Sequence, residues 1–211
     1  MRILYFDCTN GVSGDMVYSA LREFSGIKEE FAQDAKGHSH TGYSDIKLLI
    51  YNSEISEAAK EKALSIYSVI ADAESSVHGT SVSEVHFHEV GRSEAVKNIV
   101  GAAACIDGLK IDKILCSEIF DGQGTIECSH GTIPVPVPAV MAMRKNCSLV
   151  FTTDESVATE MVTPSGLAIL IGLGAAYSDS MPEGEILMKT TVCGTRDIGR
   201  KGGLSVYLIE A

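Results

Sequence analysis

The sequence predicts a single compact α/β domain with a mixed sheet and flanking helices, and a mixed α+β arrangement is left open. Three observations support this prediction. The chain begins with a short apolar strand that leads through a glycine loop into a helix, an order typical of α/β domains. Two later segments have the apolar spacing of helices, and the second half contains several strand-like runs. A length of 211 residues suits one domain with a hydrophobic core.

The individual elements follow from apolar spacing and from the positions of glycine and proline. In the first half, the predicted elements are a strand at 2–7, a helix from about Ser13 to Phe24, a loop or linker at about 26–42, a helix through 59–77 that ends at Gly79, a short strand-like segment at 85–90 and a helix at 93–109. In the second half, they are strands at 113–120 and 125–128, helices at 139–145 and 164–172, and strands at 186–193 and 204–209. Alternate prolines in 133–138 remove backbone donors, so this stretch is expected at a sheet edge or as extended chain.

Charge and composition exclude several classes of partner. The formal net charge is −11, so a basic surface for nucleic acid is not expected. The longest apolar run, Leu167 to Tyr177, is broken by glycines and is too short to cross a membrane. The six cysteines form no C-x-x-C pair, and the amino terminus turns acidic before a signal-peptide core could form. We therefore expect a cytoplasmic protein with free thiols that binds neither nucleic acid nor a membrane.

The segment His86-Phe87-His88-Glu89 is the first candidate metal site. On a strand, residues two apart point to the same face, so the two imidazoles would emerge together while Phe87 enters the core. Imidazole pairs suit nickel, zinc or cobalt, and Glu89 could orient a histidine or hold a water molecule. The alternative is a pair of surface histidines on a half-buried strand.

The other histidines offer further candidates. His38 and His40 form a second pair in the polar loop, where they would capture a metal ion or simply remain solvated. His130 follows a predicted strand end, where side chains commonly face a cleft. His78 lies at a predicted helix end, and interaction with the helix dipole explains it without a ligand.

The glycine loop is a candidate site for a cation or a phosphate group. Asp7 ends the first strand and Asp15 begins the helix, so the two carboxylates could bind a divalent cation that accompanies a phosphate. Gly11, Ser13 and Gly14 would bring backbone N–H groups to an anion at the helix start. An aspartate in the first turn of a helix is also favoured by the dipole alone. The loop matches neither common nucleotide-binding glycine motif, and the sequence contains no G-x-S-x-G.

Taken together, these residues resemble the nickel-insertion protein family of the nickel-pincer cofactor (LarC). The resemblance covers almost the whole chain, and its motifs occur in the family's order. The six matching stretches are Asp7–Met16, Glu84–Gly91, Ile99–Gly101, His130–Pro136, Met161–Gly166 and Gly194–Asp197. Each of them is short, but six in order identify the family.

The resemblance implies an enzyme of cofactor maturation, or part of one. Such proteins insert Ni²⁺ into pyridinium-3,5-bisthiocarboxylic acid mononucleotide and complete the cofactor of lactate racemase, in a lyase-class reaction that uses CTP. Family members have a carboxy-terminal domain linked to CTP, with Mg²⁺ or Mn²⁺. Residues 1–211 are expected to be the amino-terminal module without that domain, acting with a separate or fused CTP-binding module. A homo-oligomer is left open.

The resemblance also suggests roles for the candidate residues. The predicted site consists of His38, His40, His86, His88 and Glu89 for the metal, Glu89 and His130 for catalysis, and Asp7, Gly11, Ser13, Gly14 and Asp15 for the cofactor. A proton has to leave the pyridinium ring when the nickel–carbon bond forms, and a histidine or glutamate near the site would accept it.

The chain departs from the family pattern at three points. Its polar loop is shorter than in the family and contains fewer histidines. After Gly91, where the family is rich in aspartate, the chain has Glu94 and Asn98, and Asn98 cannot ionise. Ser165 replaces a threonine, which keeps the hydroxyl group. We therefore expect a divergent member with altered metal use.

Two other functions are compatible with the same residues. The first is a nickel-binding or metal-delivery module without catalysis, which would bind the metal without turnover. The second is a magnesium-dependent phosphoester hydrolase built on Asp7, Asp15 and the glycine loop, which would be active without nickel.

Overall fold

The computed structural model describes residues 1–27, 41–128, 131–199 and 201–211, which form six α-helices and eleven strands. The helices are α1 (Gly14–Ser25), α2 (Tyr43–Tyr51), α3 (Glu57–His78), α4 (Ser93–Leu109), α5 (Pro138–Lys145) and α6 (Pro164–Gly172). The strands are β1 (Arg2–Asp7), β2 (Thr41–Gly42), β3 (His86–Phe87), β4 (Lys113–Cys116), β5 (Ile119–Asp121), β6 (Gly124–Cys128), β7 (Gly131–Val135), β8 (Phe151–Thr153), β9 (Ala176–Tyr177), β10 (Glu185–Val192) and β11 (Leu204–Glu210).

A five-stranded mixed sheet forms the centre of the fold, in the order β10-β11-β1-β4-β9. β1 pairs in parallel with β4 and antiparallel with β11, and β9 extends the parallel side. The parallel pair β1–β4 requires a long crossover, which α1 to α4 provide. These features confirm the predicted α/β fold with a mixed sheet and flanking helices.

Alternation along β1 separates two apolar clusters. Leu4 and Phe6 are fully buried in the main core, which they share with the helices. Ile3 and Tyr5 point to the opposite face, where they pack in a smaller cluster with Leu115 and Ile209. The helices therefore cover the Leu4–Phe6 face of the sheet.

Local signals explain where the main helices begin and end. The Ser56 hydroxyl accepts a hydrogen bond from the Ala59 N–H (3.1 Å) at the start of α3, and Gly79 ends this helix in the left-handed conformation. Thr163 caps α6 in the same way, and Pro164 occupies its first turn. The predicted bounds of the helix 93–109 are confirmed as α4.

Other predicted elements are corrected. The single strand expected at 113–120 is divided into β4 and β5, and β5 pairs with β8 outside the main sheet. The strand-like segment at 85–90 is a strand only over β3, which pairs with β2 at the end of the predicted loop. The proline-containing strand β7 lies in a two-stranded hairpin with β6, as its missing donors predict. No helix in the described residues is long and apolar enough to span a membrane.

Candidate functional site

Two cavities adjoin one another beside the glycine loop that follows β1. The first, here called the histidine cavity, has a volume of about 410 Å³, and the second, the glycine-loop cavity, has a volume of about 530 Å³. Glu160, Thr163 and Arg196 line both of them. A ligand larger than either cavity could therefore extend from one into the other.

Five parts of the fold supply most of the residues that line the histidine cavity. These are the end of α3, the segment after β3, the β6–β7 hairpin, the start of α5 and the start of α6. Its polar lining includes Glu74, His78, His88, Glu89, Cys128, Glu160 and Arg196. Most of its remaining wall is apolar, as is usual for a small-molecule site with a few polar groups that fix orientation.

His88 and His78 come together in this cavity. Their ring centres are 6.1 Å apart, although the residues lie in different elements. His78 Nε2 is 3.2 Å from Glu74 Oε2, one turn earlier on α3. A carboxylate at this distance from Nε2 can orient the His78 ring.

The backbone that carries His88 is fixed by aromatic packing. Phe87 is 1% exposed and packs on Tyr67 and Tyr43, with ring centres 5.7 and 5.9 Å away. The buried Tyr67 hydroxyl donates a hydrogen bond of 3.1 Å to the Val90 carbonyl oxygen. The expectation that Phe87 enters the core is confirmed. His88, the next residue, lies between Phe87 and Val90 and lines the histidine cavity.

The structure does not place His86 beside His88 in the histidine cavity. The strand ends at Phe87, so strand alternation does not extend to His88. His86 is exposed and lines neither cavity, whereas His88 is half-buried and lines the histidine cavity. The geometry therefore gives no support to a metal-binding role for His86.

The other predicted metal and catalytic residues have different outcomes. Glu89 is exposed at the edge of the histidine cavity. His38, His40 and His130 lie outside the described residues. Within the described ranges, no group of three or more His, Cys, Asp or Glu side chains is close enough to hold a metal ion.

The glycine loop packs tightly against the segment that leads into α6. Gly11 has φ +80°, and a Cβ at this position would lie 2.2 Å from the Met161 carbonyl oxygen. Backbone hydrogen bonds join Val12 to Met161 and Thr163 on either side of this contact, at 3.0 Å each. Gly11 and Gly14 are buried and do not line the cavity, so their direct role in the structure is close packing.

Only part of the predicted cofactor site faces the glycine-loop cavity. Ser13 and Asp15 line it, and the Ser13 hydroxyl donates to Asp15 Oδ1. Asp7 lines neither cavity, and its Oδ1 accepts hydrogen bonds from the N–H and hydroxyl of Thr9 at 3.2 and 2.8 Å. The structure therefore does not bring Asp7 and Asp15 to one cavity.

Glu160 is a site residue that the sequence interpretation did not identify. It is 6% exposed, and its Oε2 accepts a hydrogen bond of 3.2 Å from Arg196 Nη2. Burial raises the pKa of Glu160 to about 7, against the opposing effect of Arg196, and the negative charges of Asp121 and Glu89 raise it further. This carboxyl group therefore exchanges a proton near neutral pH.

A buried ion pair holds the Glu160 segment in place. Asp121 is fully buried, and its Oδ2 accepts a hydrogen bond of 2.7 Å from Arg144 Nη2. Its Oδ1 accepts backbone N–H bonds from Gly122, Met161 and Val162 at 2.9 to 3.1 Å. Burial raises the pKa of Asp121, although these bonds and Arg144 act in the opposite direction. Asp121 thus fixes the two residues that follow Glu160.

Two adjoining cavities, lined largely by apolar groups with a few imidazole and carboxylate side chains, are typical of a protein that binds a small molecule. Residues 23–211 match the family described as "Nickel insertion protein". The chain belongs to this family. No solved structure shows a significant match to the chain.

Its relatives include several bacterial proteins named pyridinium-3,5-bisthiocarboxylic acid mononucleotide nickel insertion protein. The chain is 37% identical to that of Acetivibrio thermocellus and 38% identical to that of Clostridium acetobutylicum, in each case over all of this chain. It is 34% identical to that of Akkermansia muciniphila over 98% of this chain. The chain spans 61%, 64% and 58% of the lengths of these three relatives. The first alignment extends over 250 residues, so that relative contains residues that this 211-residue chain lacks.

Proposed function

We propose that this protein takes part in nickel insertion by receiving Ni²⁺ in the histidine cavity, beside a bound pyridinium mononucleotide. One observation carries the proposal: the His88 and His78 rings meet in a cavity that adjoins a second one at the glycine loop. Imidazole nitrogen is a suitable ligand for nickel, and the Glu74 carboxylate would orient one of the rings.

The separation of the two rings is compatible with a shared ion. A metal ion about 2 Å from an imidazole nitrogen lies about 3 Å from the ring centre, so two rings on opposite sides of it are about 6 Å apart. The observed separation is 6.1 Å. Nickel held in this way keeps other coordination positions for a substrate, which an ion in transit requires.

The substrate in the names of the relatives has features that fit both cavities. Its thiocarboxylate sulfurs are soft ligands that can take nickel from imidazole. We propose that its pyridinium ring enters the largely apolar histidine cavity. Its ribose phosphate then extends into the glycine-loop cavity, where Lys201 and Arg196 supply positive charge and Asn10 can donate hydrogen bonds.

Further features of the family are part of this proposal. They are a lyase-class reaction, the use of CTP with Mg²⁺ or Mn²⁺ through a second module, delivery of the product to a lactate racemase-type enzyme, and a cytoplasmic location. No disulfide joins any of the six cysteines, all of which lie in the described residues, and this is compatible with a reducing compartment. The phosphoester hydrolase is not proposed, because Asp7 and Asp15 do not share a cavity.

Nickel titration by calorimetry tests the site directly. We expect saturable binding at micromolar or lower concentration, weakened at least about tenfold in His88→Ala and in His78→Ala. His86→Ala is the matched control, since this exposed histidine lies two residues from His88 but outside the cavity. Equal binding by all four proteins, or a loss confined to the control, would contradict the proposed site. Nickel binding that is never followed by insertion, even in the presence of the CTP-binding module, would instead favour a delivery module.

A further inference from the structure

Glu160 occupies the wall that the two cavities share. We propose that its carboxylate accepts the proton that the pyridinium ring loses when nickel bonds to the ring carbon between the two thiocarboxylates. This inference rests on the proposed function and assigns the proton transfer to one residue of this chain.

The chemistry of the substrate requires such an acceptor. Thiocarboxylates at ring positions 3 and 5, as named for the relatives, flank position 4, which carries a hydrogen atom. A Ni²⁺ ion bound by both sulfurs lies next to that carbon. When the nickel–carbon bond forms, the electron pair of the C–H bond becomes the new bond and the proton leaves. Nickel stays divalent, so the step needs a base but no oxidant or reductant.

The position of Glu160 suits this role. A mononucleotide that extends from the histidine cavity into the glycine-loop cavity has to run alongside the residues that line both, including Glu160. Its ring and its ribose would then lie on either side of Glu160. The side chain is 6% exposed, which limits competition from bulk water. Asp121 holds the following backbone through Met161 and Val162, so the carboxylate is attached to a fixed segment.

Burial raises the pKa of Glu160, and the charges around it adjust this effect. Arg196 donates a hydrogen bond to Oε2 and favours the ionised form, whereas Glu89 and Asp121 favour the protonated form, and Arg144 pairs with Asp121. Because the effect of burial is the largest of these, the pKa of Glu160 is about 7. A base with this pKa is ionised in a large fraction of molecules at neutral pH and is still strong enough to take a proton in a transition state.

The other carboxylates around the cavities are less suited to the task. Glu89 is exposed at the cavity edge. Glu74 is next to His78, where it orients the ring that we propose for nickel. Asp15 and Asp197 line the glycine-loop cavity, on the side proposed for the ribose phosphate. Asp15 accepts a hydrogen bond from the Ser13 hydroxyl, and Asp197 accepts one of 2.8 Å from the Gly199 N–H.

Hydrogen–deuterium exchange at the ring carbon tests the proposal without requiring complete insertion. The protein is mixed in D₂O with NiCl₂ and the pyridinium-3,5-bisthiocarboxylic acid mononucleotide, and the loss of the position-4 hydrogen signal is followed by NMR. We expect Glu160→Gln to slow this exchange at least about 100-fold, the usual contribution of a general base, while the affinity for nickel measured by calorimetry changes less than about threefold. Glu155→Gln, an exposed glutamate five residues away, is the control and should exchange like the wild type.

The dependence on pH separates proton transfer from a purely structural effect. The wild-type exchange rate should rise with pH and level off above about 7, following ionisation of Glu160. Glu160→Asp should keep part of the rate with a shifted profile. Equal exchange by the wild type and Glu160→Gln, or no exchange by a wild type that binds nickel, would overturn the proposal and leave nickel capture intact. If the wild type does not bind nickel, the proposed function is wrong, and the proton-transfer proposal, which depends on it, is wrong as well.

Discussion

Replacing Asp121 by asparagine is expected to destabilise the protein by about 3 to 5 kcal/mol, because it breaks a buried ion pair and leaves one partner charged. The Asp121 side chain is 0% exposed and that of Arg144 is 13% exposed. Asparagine has nearly the same shape, and its oxygen can still accept the three backbone N–H bonds. Its amide nitrogen, however, is a donor. It would face Arg144 Nη2, which now donates a hydrogen bond of 2.7 Å to Asp121 Oδ2. The loss would be a large fraction of the stability of a typical domain.

Urea unfolding followed by circular dichroism measures this loss. Asp107→Asn is the control, because Asp107 pairs with Lys62 at 3.2 Å but has a side chain that is 31% exposed, and solvent-exposed pairs contribute about 0 to 1 kcal/mol. Asp121→Asn/Arg144→Met removes both charges and should recover about 1 to 3 kcal/mol relative to the single variant. A loss below about 1 kcal/mol for Asp121→Asn, or no recovery in the double variant, would refute the view that this pair holds the Glu160 segment.

Three further predictions follow from the same region. Gly11→Ala should lower the melting temperature well beyond Gly26→Ala, because both have positive φ but only the Cβ at Gly11 would meet a backbone oxygen, at 2.2 Å. Tyr67→Phe should destabilise the protein by about 1 to 3 kcal/mol by leaving the buried Val90 carbonyl oxygen without its donor, and it should also weaken nickel binding; unchanged values of both would contradict the argument. Burial raises the pKa of Glu160 from 4.5 to about 7, so its contribution to stability is fully present below about 4.5 and is lost as the pH rises through 7. Over that range the unfolding free energy of the wild type, measured against Glu160→Gln, should therefore fall by about 3 kcal/mol, and a flat difference would be evidence against the raised pKa.

The fold was predictable wherever local signals agree with tertiary packing. The strand 2–7 and the helix 93–109 have apolar patterns that lead to the observed elements, and Ser56 and Thr163 provide the caps of two more helices. The short strands β8 and β9 were not predicted, because two or three residues carry too little periodicity and form strands only where a partner is available. The helix α2 was missed for a related reason, since only Ile46 and Ile50 of its nine residues are buried.

The candidate site was less predictable than the fold, because its geometry depends on contacts between distant residues. The sequence identifies His88 as a candidate and suggests His86, two positions away, as its partner. In the structure the nearby ring is that of His78, with ring centres 6.1 Å apart. Glu160 lies in a segment without periodicity, and neither its burial nor its contact with Arg196, 36 positions later, can be read from spacing. A partial signal was available, since Glu160 directly precedes one family motif and Arg196 lies within another.

The motif Met161–Gly166 holds in place Glu160, the residue directly before it, which lines both cavities. Much of what the motif does is backbone packing: the Met161 carbonyl oxygen accepts the Val12 N–H at 3.0 Å, and a Cβ on Gly166 would lie 2.5 Å from the Val12 carbonyl oxygen. Asp121 binds the same segment from its other side, through the N–H groups of Met161 and Val162. The glycine loop and a buried ion pair therefore fix one short stretch of chain from two directions, and the side chain placed by that constraint is Glu160. A motif can thus be required for the chemistry of the site because it positions a neighbouring residue, even where its own side chains perform none of the reaction.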